Sequence, residues 1–332
     1  MVHSCFSSNR LVPWSISVLA ACGGVTPVPA QHGTAAAPSS GSAATIQLPV
    51  VMEEHRWLLQ TTTAAGAPLR IYLDSAGGMY ITKVTAARLQ LPIEHVRGEG
   101  GEGDHDEARF PELVDRKIPT PKLAAFPVLD EDDEFDAMFG APWFAPLAVT
   151  FDYPRQQLLL RALGDLPEVA PEHWIAVAFP RNARGVITSP YGRIQMTVDG
   201  QPIDMLLDTG ATVDLTESAI RALGGTARLR ATSFITDTVF QRWRKVHPEW
   251  RVIEGADHNA KRTPAPMIEV PKLTVAGYEV GPVWFTWRPD HAFHEFMAQF
   301  MDRATEGALG GSAFASLRIS VDWPGGAATF ER

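Results

Sequence analysis

The sequence predicts a mainly β, two-lobed protein, on three observations: a high density of turn formers, a tandem repeat, and one strand-and-turn grammar shared by both copies. The 332 residues include 27 Gly and 26 Pro, which favours short elements joined by many turns. Hydrophobic residues make up 45% of the chain and charged residues 20%. That is enough apolar surface to offset ordering entropy, so disorder is excluded for most of the chain. The 29 basic and 38 acidic side chains leave a formal charge of −9. Nucleic acid is thereby excluded as a partner, because neutralising phosphates needs a cationic face.

The first element is not part of the fold. A short cationic start at Arg10 leads into LVPWSISVLA and then LAACGG, a run too short to span a bilayer. It has the arrangement of a secretory signal. Leu19-Ala20-Ala21-Cys22 resembles a bacterial lipobox, which implies cleavage before Cys22 and acylation of its thiol. Residues 1–21 are then the signal peptide, and Cys5 leaves with it. Residues 22–45, rich in Ala, Gly, Ser and Pro, cannot bury a core and read as a flexible tether. By the same resemblance, Gly23 after the cysteine favours the outer membrane. The expected location is the bacterial cell envelope, lipid-anchored and periplasm-facing, with the membrane reached only through the lipid.

The remainder is a tandem duplication, an N-terminal lobe over 46–170 and a C-terminal lobe over 171–332. TAAGAPLRIYLDSAGGMYITKVTAARL, from Thr63, lies without gaps over TVDGQPIDMLLDTGATVDLTESAIRAL, from Thr197, at an offset of 134 positions, Asp74 to Asp208. FGAPWFAPLAVTFDYPRQQLLL, from Phe139, lies over LGGSAFASLRISVDWPGGAATF, from Leu309, at an offset of 170, Gly140 to Gly310. The second copy therefore carries 36 extra residues between its blocks, read here as a helical insertion. Each copy opens with a hairpin and an apolar strand that stops at an aspartate. Thr82 or Thr216 then caps one short helix. An apolar-Gly pair and a closing Asp-aromatic-Pro hairpin complete the copy.

The second copy reads Met205-Leu206-Leu207-Asp208-Thr209-Gly210-Ala211, which resembles the signature of retropepsin-like aspartic proteases. Phe139-Gly140 and Leu309-Gly310 resemble that family's second signature, which threads behind the catalytic loop. The resemblance covers about residues 46 to 332 and implies a pepsin-like architecture: two acid-protease β-barrel lobes in one chain, so that a monomer suffices. It implies a peptide or protein substrate, held extended between the lobes. The chemistry asks for two carboxylates held close, because they cannot both ionise and so supply one acid and one base. Asp74 and Asp208 are the expected dyad, and neither metal nor cofactor is needed. Ser75 and Thr209 are expected to tie the two loops together, and Gly210 to let the backbone approach its own carboxylate. The first copy departs at Asp74-Ser75-Ala76-Gly77, where Ala76 stands in the place of the motif glycine. Two readings stay open: an aspartic endopeptidase, or a catalytically silent envelope lipoprotein that binds a peptide or protein partner in the same cleft.

Neither Gly77 nor Ala211 carries a hydroxyl to stabilise the charged carboxylate, so the dyad is expected to work at mildly acidic to neutral pH. Other signals take plainer readings. Gly98 to Gly103 matches a dinucleotide fingerprint by letter, but no apolar strand precedes it, which leaves an acidic loop. Asp130 to Glu134 reads as a solvated loop. His291 and His294 share a helical face with no third ligand near, so no metal site is expected. Trp243, Trp250, Trp284 and Trp287 read as core, and Asp152 and Asp322 as turn residues.

Overall fold

The computed structural model describes residues 45–97, 103–121, 123–130, 134–258 and 264–332. The signal segment, Cys5, Cys22 and the tether up to residue 44 lie outside the described residues, as do positions 98–102 of the glycine-rich loop and 131–133 of the acidic run.

The fold is mainly β, in two lobes joined by a shared sheet. An eight-stranded sheet drawn from Val50–Glu53 through Ala137–Phe139 builds the first lobe, and a nine-stranded sheet from Arg193–Val198 through Gly307–Gly310 builds the second. Both are open rather than closed barrels, a correction to the barrel expectation. Among the described residues their edge strands, such as Ile93–Val96 and Tyr278–Val280, pair on one side only.

The closing hairpins of the two copies make the sheet between the lobes. Ala148–Asp152 lies antiparallel to Arg318–Asp322, with Thr150 directly opposite Ser320. Those two residues occupy the same place in their copies, so the local two-fold passes between them. Their hydroxyls hydrogen-bond at 2.6 Å, which satisfies both polar groups in a fully buried position. Around them Trp57, Phe144, Phe151, Phe314, Trp323 and Phe330 are all buried, so the lobes share one apolar core.

The local grammar of the first copy forms as read. The hairpin Arg56–Thr62 and Pro68–Leu73 is followed by Met79–Thr82, and Thr82 accepts from the Thr85 N–H to cap the helix Lys83–Arg88. In the second copy the hairpin turn is Asp199-Gly200, both with positive φ, 51° and 73°, which is the twist a tight hairpin needs. Thr216 likewise caps Glu217–Leu223 through the Ala219 N–H.

The insertion, however, is not a single helical block. In the first lobe Ile81 lies opposite Ala137; in the second Ile235 lies opposite Gly307, so the offset has already widened from 134 to 154. Thr82 beside Leu129 corresponds to Thr236 beside Arg288, an offset of 159 between the partner strands. The 36 residues thus enter as 20 directly after the Asp208 loop, five before Arg288, and 11 between Arg288 and Gly307. Two corrections follow. The structural counterpart of Thr82 is Thr236, at the head of Asp237–Val246, while Thr216 caps an additional helix. Among the described residues the second lobe therefore holds two α-helices where one short helix was expected beside the insertion, and between Arg288 and Gly307 the insertion is helical only at Ala292–Phe296 and Met297–Gln299.

Candidate active site

Asp74 and Asp208 are delivered by the ends of two buried strands, Pro68–Leu73 and Gln201–Asp208. Each strand is braced by a parallel neighbour, Leu73 beside Phe139 and Asp208 beside Gly310. The apolar-Gly pairs pass so close behind the loops that only glycine fits. A Cβ on Gly140 would stand 2.0 Å from the Gly78 carbonyl oxygen, and one on Gly310 would stand 1.6 Å from that of Thr232.

Ser75 and Thr209 lock the loops across the lobe boundary. The Thr209 N–H donates to Ser75 Oγ at 2.9 Å, Ser75 Oγ donates to the Leu207 carbonyl at 3.0 Å, and the Ser75 N–H donates to Thr209 Oγ1 at 3.3 Å. Within each loop the next N–H turns back onto the carboxylate: Ala76 to Asp74 Oδ1 at 2.8 Å, and Gly210 to Asp208 Oδ1 at 3.1 Å. Ala76 performs the same task as Gly210. Among the described residues the non-glycine positions with positive φ are Glu54, His55, Gln90, Gln156, Asp199 and Ala276, so Ala76 sits in ordinary backbone. Its methyl packs with Ala211, Phe293 and Met297 in an apolar cluster.

Gly210 is needed for a different reason from the one expected. A Cβ there would stand 2.2 Å from Asp74 Cγ, so it clears the carboxyl of the opposite lobe rather than its own. The glycine that clears its own aspartate is Gly77, whose Cβ would stand 2.8 Å from Asp74 Oδ2.

The two carboxyls are hydrogen-bonded to each other, and both aspartates are almost wholly buried, 4% and 2% exposed. Burial raises the Asp74 carboxyl above the ordinary carboxylate range, opposed by the Ala76 N–H, the Asp208 hydrogen bond and the Gly77 N–H. Burial, the Asp74 charge and the shared hydrogen bond push Asp208 well above that range, against the Gly210 and Ala211 N–H groups. Both carboxyls are therefore pushed toward the protonated form, and the pair holds one proton between them as a unit.

Two neighbours escaped the sequence reading. Tyr72 donates its hydroxyl across the boundary to the Gly210 carbonyl at 2.7 Å. Tyr191 is buried next to the site; burial and then the Asp74 charge raise its pKa. The signal for Tyr72 was present, a polar ring in an apolar triplet where the second copy has Leu206.

The remaining residues fall outside this centre. His294 pairs with Glu306 at 3.0 Å, and no group of three metal-binding side chains occurs among the described residues. The His291 to Met301 segment buries Phe293, Met297 and Met301 but exposes Phe296. Trp243 is buried, and Trp250, Trp284 and Trp287 pack partly buried against apolar clusters. Asp152 and Asp322 accept the Arg155 and Gly325 N–H groups in their turns. Glu134 of the acidic run pairs with Arg56 at 3.3 Å.

No protein-family model and no curated protein matches the chain. Among solved structures, an aspartic proteinase from Irpex lacteus is similar over 86% of this chain and 97% of that one, at 10% identity and a TM-score of 0.46.

Proposed function

We propose that the protein is an aspartic endopeptidase whose dyad is Asp74 and Asp208. The observation that carries the reading is the approach of two buried carboxyls that bond to each other, each held by its own loop N–H groups, and in this reading Asp208 carries the shared proton. Such a pair offers a base and an acid within reach of one water. Asp74 takes a proton from the water as its oxygen attacks the amide carbon, and Asp208 gives its proton to the carbonyl oxygen. In the second half the C–N bond breaks, the leaving nitrogen takes the proton from Asp74, and a diol proton returns to Asp208. Mass and charge balance, leaving an acid, an amine and the dyad in its starting state. Ser75, Thr209, Gly140 and Gly310 hold the loops at that spacing.

In this reading the enzyme acts as a monomer on a peptide or protein segment. It is tethered to the periplasm-facing side of the bacterial envelope, in the outer membrane, by the lipid on Cys22. The test compares cleavage of a peptide library by the full chain and by Asp208→Asn between pH 3 and 8. Cleavage lost in the variant supports the reading; equal cleavage by both, or none by either, rejects it. Labelling with a radioactive fatty acid that disappears in Cys22→Ser tests the tether.

A further inference from the structure

We propose that Tyr72 is a positioning residue for the dyad: its hydroxyl, supplied by the first lobe, fixes the peptide plane of the second lobe that carries the Ala211 N–H toward Asp208. The proposal rests on the peptidase reading but concerns a contact the two-lobed motif does not contain.

Three distances make the clasp. Tyr72 Oη is 2.7 Å from the Gly210 carbonyl oxygen and 2.7 Å from Thr212 Oγ1, and Thr212 Oγ1 is 3.0 Å from the same carbonyl oxygen. The two hydroxyls have two protons for these three contacts, so with Tyr72 donating to the Gly210 carbonyl the Thr212 hydroxyl donates either to that carbonyl or to Tyr72 Oη. Tyr72 is 3% exposed, so water does not compete for its proton, and burial together with the Asp74 charge keeps the phenol neutral. It is a permanent donor.

A peptide unit is planar, so its C=O and N–H directions are set together. Holding the Gly210 oxygen from the first lobe therefore also sets the Ala211 N–H, which donates to the Asp208 main-chain carbonyl at 3.4 Å and, with the Gly210 N–H, favours the charged form of the carboxyl. The chain path that follows this peptide differs between the lobes. In the first lobe the loop passes from Gly77 almost directly into Met79–Thr82, which pairs with Ala137–Phe139. In the second lobe the chain instead leaves Gly210 for the hairpin Thr212–Asp214 and Leu229–Ala231, and reaches the matching strand only at Ser233. That detour ends back at the loop, where the Thr232 N–H donates to the Ala211 carbonyl at 2.9 Å, so the Gly210–Ala211 peptide is gripped by the Tyr72 hydroxyl on one side and by Thr232 on the next carbonyl. Leu206 stands at the position of Tyr72 in the second copy and has no hydroxyl to return, so the clasp is one-sided.

The charged groups acting on the Tyr72 hydroxyl are Asp74, Arg56 and Asp208, and the phenols of Tyr153 and Tyr191 lie within the field of the carboxyls. Arg56 is itself paired with Glu134. All of these remain when only the Tyr72 oxygen is removed.

The experiment uses the full chain labelled with 13C at the aspartate carboxyls, the dyad resonances being assigned with Asp74→Asn and Asp208→Asn. In Tyr72→Phe the titration step belonging mainly to Asp208 is expected to move upward by about half a pH unit, because a donor to its charged form is loosened. Turnover is expected to fall on the order of tenfold with KM changed by less than about twofold, as misplacement without lost binding requires. Thr212→Val, which removes the Thr212 hydroxyl but leaves the Tyr72 to Gly210 bond, is expected to shift the same step less, and it decides the matter if Tyr72→Phe does not fold. A folded Tyr72→Phe with both titration steps unmoved overturns the proposal. So does a folded Thr212→Val with no shift when the first variant fails. The titration needs no substrate, so absence of cleavage by the parent chain rejects the peptidase reading and leaves Tyr72 separately judged.

Discussion

Gly210 stands over the carboxyl of Asp74, so close that a methyl group placed on it would lie 2.2 Å from Asp74 Cγ. At the matching place of the first lobe Ala76 already carries a methyl, housed among Ala211, Phe293 and Met297. The two lobes are therefore unequal at the dyad. Gly210→Ala is expected to abolish cleavage, since Asp74 has to leave its position to admit the methyl. Ala76→Gly is expected to keep activity within about threefold and to lower stability by roughly 0.5–1 kcal/mol through added chain entropy. Steady-state kinetics on both variants, with thermal melts, check the contrast.

Both carboxyls titrate above their ordinary range, so both limbs of the activity profile move up together. Below the first limb both carboxyls are protonated and the dyad has no base to offer; above the second both are ionised and it has no proton to donate. The kcat/KM profile is expected to be bell-shaped and centred clearly above about pH 4, the reference carboxylate value. A bell centred below that value contradicts the burial argument.

How far the sequence carried depends on which physical signal was local. Asp74 and Asp208 were legible because a repeat places equivalent residues at equal offsets. The glycines behind them were legible because close backbone approach leaves a one-residue signature. Thr216 shows where this stops: it is a true helix cap, yet a cap reports only on the three residues after it and not on which strand came before. The gapless alignment with Thr82 was therefore sound locally and wrong as an equivalence, since Thr236 holds the matching place in the sheet. Gly210 failed in the same way. Its need for space was readable, but the group it makes room for belongs to the other lobe, and spacing along one chain segment carries no information about that contact.

Thr150 and Ser320 meet at the local two-fold with their hydroxyls 2.6 Å apart in a fully buried position. Ser320→Ala leaves the Thr150 hydroxyl without that partner, and is expected to cost about 1–3 kcal/mol. Thr150→Val combined with Ser320→Ala removes both polar groups and is expected to recover much of that loss. Denaturant melts of the two single variants and the double variant read the coupling directly, and strict additivity would show that the pair contributes nothing across the lobe boundary.

The dyad also has a cost for the fold, and its pH dependence has a definite sign. The folded-state pKa of Asp208 lies well above the unfolded value, mainly through burial and then the Asp74 charge. Such a group contributes stability that is fully present below the unfolded pKa and is lost as pH rises through the folded one. Between the unfolded and the folded pKa the folded chain must keep a proton that the unfolded chain has released, and above the folded pKa it carries a second buried negative charge beside Asp74, whereas the unfolded chain holds both charges in water. Asp208→Asn removes that titration while keeping the side chain's shape. The variant is therefore expected to melt close to the parent near pH 4 and increasingly above it toward pH 8, by about 2–4 °C for each kcal/mol relieved. A melting difference that stays constant with pH would place the Asp208 charge in solvent and remove the argument that its proton is held by the fold.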